Sequence, residues 1–235
     1  MLRAVTFDAF GTIVDTGREV LIQVARAACE ENRPGLSPEK LLEVWDRYFF
    51  GAETERFLTL REVTSDALAK AFADFGIEAD PEPYIETLDG LWLQAQAYPE
   101  VAGGLASLDG VPRAVVSNAD HEFLKGILAR NGLRFDAVVT SESAQSYKPR
   151  PRIFEMALHA LRARPEQVLH VGDSLQADVE GASRLGMRTA WVNRSGLRRG
   201  RTDPTPDFEV ESLAPVPAIV RELRGQDEPA ARKPG

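Results

Sequence analysis

Three aspartates, a serine and a lysine are the residues of this chain whose types and spacing could do chemistry. Asp8 opens the segment Asp8-Ala9-Phe10-Gly11-Thr12. A carboxylate there is a competent nucleophile once a cation lowers its repulsion of an anionic substrate. Gly11 lets the backbone turn sharply and present N–H groups to an oxyanion. Asp173 and Asp178 stand five apart in Gly172-Asp173-Ser174-Leu175-Gln176-Ala177-Asp178, close enough to converge on one hard cation. Mg²⁺ suits such a pair, because it takes a few carboxylate oxygens together with water and phosphate oxygens. Ser117-Asn118 precedes a helical stretch, where a hydroxyl and backbone amides make an anion seat. Lys148 is held on a loop by the proline that follows it. Each feature also has an ordinary structural explanation: an Asx turn, a helix N-cap, a surface lysine, or acids at a helix start. Their occurrence together, in the order Asp, Ser, Lys and paired Asp, points to an enzyme built on carboxylates.

The elements that must position these residues alternate. Short apolar runs at 2–7 (LRAVTF), 113–116 (RAVV), 137–140 (AVVT), 168–171 (VLHV) and 189–192 (TAWV) each end at a polar residue. Most are followed by a helical pattern. Continuous apolar strands alternating with helices predict a parallel sheet covered on both faces, and ligands of such sheets bind beyond the carboxyl ends of the strands. Asp8, Ser117, Glu142 and Asp173 are thereby expected at one rim. Between 16 and 98 the strand signal vanishes, and apolar residues recur at helical spacing between breakers. The expected architecture is α/β: a Rossmann-like, doubly wound parallel sheet as the core (1–15 and 99–224), with an inserted all-helical cap (16–98). The tail 225–235, polar and rich in Pro and Gly, is expected to be disordered.

Composition narrows the function. The 235 residues carry 28 Lys+Arg against 36 Asp+Glu, a formal charge of −8, which argues against a general nucleic-acid binder. A hydrophobic content of 43% is enough for a buried core. Cys29 is the single cysteine and His121, His159 and His170 the three histidines, so a cysteine-rich zinc site and a multi-histidine cage are excluded. No run of about 18 apolar residues suggests a membrane span. The first ten residues lack a signal peptide's apolar region. The expectation is a cytoplasmic enzyme for a small anionic substrate, with either the cap or a sheet edge available for a homodimer.

The motif set resembles that of the haloacid dehalogenase-like hydrolase superfamily with a helical cap. FDAFGTIVD resembles motif one, VVSNAD motif two, YKP motif three and HVGDSLQAD motif four, and the similarity covers nearly the whole chain. It implies Asp8 as nucleophile, with Ser117 and Lys148 holding the transferred group. Gly11, Thr12, Asn118 and Phe10 would surround the substrate. By the same resemblance Mg²⁺ would be bound by Asp8, Asp173, Asp178 and the backbone carbonyl of Phe10.

Phe10 departs from the pattern. Phosphatases of the superfamily carry a second Asp two residues after the nucleophile as general acid and base, a role typically worth 10²–10⁴ in rate. Phe10 cannot fill it. Haloacid dehalogenases have an aromatic residue there and need no Mg²⁺, since halide leaves without a proton, but their motif four is rich in Ser and Asn. Phosphonoacetaldehyde hydrolases also lack the acid and use a cap lysine, for which Lys40 and Lys70 are the available residues. Paired acids beside a nucleophilic Asp repel it unless a cation is present. Motif four therefore sets the leading expectation: a Mg²⁺-dependent phosphatase working through an aspartyl-phosphate, with His121, Glu53 or Glu55 as replacement acid. The alternative is a 2-haloacid dehalogenase working through an aspartyl ester, its substrate carboxylate anchored by Arg47, Arg56 or Arg61 and Phe10 forming an apolar wall. A non-catalytic anion sensor is the third reading.

Overall fold

A computed structural model describes residues 1–52 and 56–225. Glu53 and Glu55, and all but the first residue of the 225–235 tail, lie outside the described residues. Strand β1 (Ala4–Phe7) is followed by helices α1 (Arg18–Asn32), α2 (Pro38–Phe50), α3 (Leu60–Asp74), α4 (Glu82–Trp92) and the short α5 (Val101–Ala106). Next come β2 (Arg113–Ser117), α6 (His121–Arg130), β3 (Ala137–Thr140), α7 (Ser141–Ala144) and α8 (Pro151–Leu161). Strand β4 (Val168–Gly172), a wide helical turn at Leu175–Glu180, α9 (Gly181–Arg184), β5 (Arg188–Val192), β6 (Phe208–Val210) and α10 (Val216–Gly225) complete the chain.

The six strands form one parallel sheet in the order β3-β2-β1-β4-β5-β6. The order reverses at β1, so the ends of β1, β2 and β4 meet at the switch point where such sheets bind ligands. Strand β1 is buried at all four positions, as its continuous apolar sequence requires. The three-residue edge strand β6 is too short to carry a sequence signal of its own. Glu142, just past the carboxyl end of β3, is engaged at the rim: its carboxylate accepts the His121 N–H at 2.6 Å and caps the start of α6.

Helices α1 to α4 bury an apolar cluster of their own, including Leu41, Leu68, Phe72 and Leu88, each worth roughly 1.5–3 kcal/mol when fully removed from water. Helix α3 begins with a reciprocal capping box between Thr59 and Glu62. A residue of the sheet-bearing part adds to that cap: the Asp120 carboxylate accepts the N–H groups of Leu60 at 2.7 Å and Arg61 at 3.0 Å, where the helix dipole favours negative charge. Tyr147 makes a second tie, its hydroxyl donating to the Leu58 carbonyl at 3.0 Å. The two connections to the helical block run side by side, Val14 bridging Ala97 and the Asp15 N–H reaching the Gln96 carbonyl. No helix among the described residues is long and apolar enough to cross a membrane.

Candidate active site

The sheet brings Asp8, Ser117, Lys148, Asp173 and Asp178 together. Asp8 follows β1, and its N–H is fixed by the Val171 carbonyl of β4 at 2.8 Å. Its Oδ1 accepts from the Ser117 hydroxyl at 3.0 Å and from Lys148 Nζ at 2.5 Å. The same ammonium donates to Asp178 Oδ1 at 2.6 Å. Lysine and both aspartates are buried, so their attraction is little screened. Asn118 holds the Lys148 loop in place: its Oδ1 accepts the Lys148 N–H at 2.7 Å, and its amide donates to the Lys148 carbonyl at 3.4 Å.

Asp178 is saturated. Besides Lys148, its Oδ1 accepts from His170 Nε2 at 3.1 Å, and its Oδ2 accepts the Ser174 N–H at 3.0 Å. His170 is fully enclosed, with Nδ1 against the Thr6 hydroxyl at 2.9 Å. Thr6 and His170 face each other because β1 and β4 pair in that register. Gly172 is required here, since a Cβ would lie 2.3 Å from Asp178 Cγ.

Asp173 differs. It is exposed at the rim, with one side-chain bond among the described residues, from the buried Thr12 hydroxyl at 3.3 Å, and its backbone carbonyl held by Trp191 Nε1 at 2.8 Å. Gly11 has φ +81°, and a Cβ on it would lie 2.5 Å from Asp173 Oδ2. That turn therefore needs glycine both for its conformation and for this approach.

Charge follows from these contacts. Burial disfavours the Asp178 carboxylate, but Lys148 and then His170 outweigh it and hold its pKa well below the ordinary range. Burial pushes Asp8 up; Lys148 opposes this and the Asp178 charge reinforces it. Asp173 is pushed up to about 8 by the surrounding protein and then by the charges of Asp8 and Asp178. Its exposure lets water offset part of the first effect, so the like charges are the cause that matters. Lys148 is raised, because its two carboxylates outweigh its desolvation.

Other expected residues are placed elsewhere. The His121 ring meets the Thr140 hydroxyl at 3.4 Å. Lys40 and Lys70 are exposed on the helical block. Arg47 pairs with Asp74 at 3.9 Å, Arg56 with Glu62 at 3.7 Å, and Arg61 with Asp89 at 2.7 Å and with Glu82. Phe10 stacks on Trp92 of α4 with ring centroids 6.4 Å apart, so an apolar wall stands two residues beyond Asp8. His170 had a readable signal, a histidine inside an apolar strand. Trp92 carried only the periodicity of a core aromatic.

A family model for haloacid dehalogenase-like hydrolases matches residues 2–186. The chain belongs to that family. Haloacetate dehalogenase H-2 of Moraxella sp. (strain B) is 29% identical over 231 residues, covering 93% of this chain and 98% of the relative. (S)-2-haloacid dehalogenase 1 of Pseudomonas sp. (strain CBS-3) is 28% identical over 228 residues, covering 94% and 98%. Among solved structures, L-2-haloacid dehalogenase from Xanthobacter autotrophicus superposes with a TM-score of 0.72 at 29% identity, covering 94% of this chain and 99% of that one.

These relatives overturn the expectation of a Mg²⁺-dependent phosphatase, and the geometry gives the reason. Asp8, Asp173 and Asp178 do offer oxygens within 4.8 Å of one another, the donor type a hard cation takes. Yet Asp8 and Asp178 already share the Lys148 ammonium, and both oxygens of Asp178 are engaged. Two of the expected Mg²⁺ ligands thus already have a side-chain cation between them, which relieves Asp8 and Asp178 but does not reach Asp173.

Proposed function

We propose that the protein is a 2-haloacid dehalogenase working through an aspartyl ester on Asp8 without a metal ion, residues 16–98 serving as a cap on a core of 1–15 and 99–224. One observation carries this reading. Asp8 is neutralised by a built-in ammonium, while the place two residues on, where a proton donor for an alkoxide leaving group is needed, holds the Phe10 ring stacked on Trp92. Halide departs without a proton. The likeness to haloacetate and 2-haloacid dehalogenases over more than nine-tenths of the chain supports the same reading.

In this mechanism Ser117 and Lys148 hold Asp8 Oδ1 and aim Oδ2 at C2 of the haloacid. A C–O bond forms as the carbon–halogen bond breaks, with both of its electrons leaving on the halide. Water then adds to the ester carbonyl, and Lys148 offsets the charge that develops on oxygen. Asp173 takes the water's proton and passes it to the departing 2-hydroxy acid oxygen as the ester bond breaks. It is the exposed carboxylate beside Asp8, and its raised pKa makes it a better base than Asp178. Asp8 then loses its own proton to solvent and is restored. The substrate carboxylate needs a cation, and Arg61 is the cap arginine this reading favours. It lines a cavity of about 160 Å³ together with Trp92, Phe123, Ile85 and its partner Asp89, so the substrate carboxylate would have to displace the pairing of Arg61 with Asp89 and Glu82. Asp8 itself is only 5% exposed, which suits a small haloacid.

Chloride release from L-2-chloropropionate, measured with and without EDTA and beside p-nitrophenyl phosphate, tests the proposal. EDTA-resistant chloride release is expected. EDTA-sensitive phosphate release with no chloride would overturn it.

A further inference from the structure

Arg194 lies in the loop after β5, more than 180 residues from Asp8 in sequence, and its guanidinium reaches the turn that follows the nucleophile. Nε donates to the Gly11 carbonyl at 3.1 Å and Nη2 to the Thr12 carbonyl at 2.8 Å. Nη2 also donates to Glu100 Oε1 at 2.8 Å, and Cζ lies 3.5 Å from the centroid of the Tyr98 ring. Tyr98 and Glu100 belong to the segment returning from the helical block, and the Tyr98 N–H is bonded to the Ile13 carbonyl. One side chain, 19% exposed, thus touches both the nucleophile's turn and the root of the cap.

From this we infer that Arg194 is a positioning residue, which sets the Asp8–Thr12 turn against the returning linker and so places Thr12 and Asp8 against Asp173. Two adjacent carbonyls, a carboxylate and an aromatic face together demand a planar fork. A lysine ammonium cannot serve all four at once. The turn has reason to need a brace. Gly11 is in the left-handed region and packs so closely on Asp173 that no side chain fits, while Thr12 supplies the one side-chain bond described for that carboxylate. With Arg194 in place, a movement of the cap linker is passed to the nucleophile through one rigid group.

The kinetic part of this inference rests on the dehalogenase reading; the structural part does not. Arg194→Lys keeps the charge and the Glu100 partner, and Arg194→Gln keeps neither. Hydrogen exchange of the amides from Ala9 to Val14 is compared with that of the remaining sheet, alongside kcat and KM for L-2-chloropropionate. The expected result is faster exchange confined to that turn in Arg194→Lys, with kcat down as much as about 10²-fold, the cost of a misplacement near 1 Å, and KM little changed. Unchanged exchange at the turn, or exchange raised equally throughout Arg194→Lys, overturns the inference. A wild-type protein that releases no chloride refutes the dehalogenase reading, and the exchange comparison still decides the role of Arg194.

Discussion

The floor of the site and its rim use the same side chain under opposite conditions. On the floor, Asp178 has a lysine, a histidine and a backbone N–H on its two oxygens and stays ionised well below the ordinary range. At the rim, Asp173 has one hydroxyl partner and two like-charged neighbours, and holds its proton to higher pH. In the proposed mechanism the two carboxylates, five residues apart, do different work: Asp178 keeps Lys148 charged and fixed, and Asp173 exchanges a proton with water.

The comparison can be broken from either side. Asp8→Asn removes the proposed nucleophile, and chloride release is expected to fall by at least about 10³-fold. Asp173→Asn leaves alkylation of Asp8 intact and slows ester hydrolysis by roughly 10²–10⁴. Intact mass should then show the enzyme accumulating as the substrate adduct. Turnover without an adduct would remove Asp173 from the base role. Lys148→Met leaves two buried carboxylates without their cation and should cost about 3–5 kcal/mol of stability, read by urea denaturation, besides its loss of activity. The smallest effect is on stability against pH. Between the ordinary carboxylate value and the raised value of Asp173 the folded state keeps a proton that the unfolded state has lost. Stability should therefore decline as pH rises through that window. Asp173→Asn abolishes this contribution, so its Tm advantage over wild type should grow from about pH 5 to about pH 8. A constant difference would mean that Asp173 carries no raised pKa.

Much of this was legible in the residues. The strands of the sheet centre are buried on both faces and so read as continuous apolar runs, and Asp8, Ser117, Lys148 and Asp173 stand where those runs end or in the loops between them. The inference that paired acids need a cation was physically sound. What the chain of letters does not give is which cation, because Lys148 reaches Asp8 across 140 positions and Asp178 across 30. The expectation was Mg²⁺; between Asp8 and Asp178 the cation is Lys148. Arg194 was invisible for the same reason, since its partners are backbone carbonyls, which have no residue type. His170 could have been found from Thr6, the polar residue at the matching register of an otherwise apolar neighbour.

The turn at Leu175–Glu180 gives the floor one further property. Its backbone is wider than an α-helix, the Val179 N–H reaching five residues back to the Ser174 carbonyl at 3.2 Å, and turns of this kind hold one residue more than a regular turn. Asp178 reaches Lys148 and His170 from within that surplus. Deleting a residue between Ser174 and Asp178 would let the segment relax to ordinary helix and swing the next side chains by about 100°. The carboxylate would then leave the ammonium with every catalytic side chain still in the sequence. In this segment the number of residues is itself a constraint, independent of their chemistry.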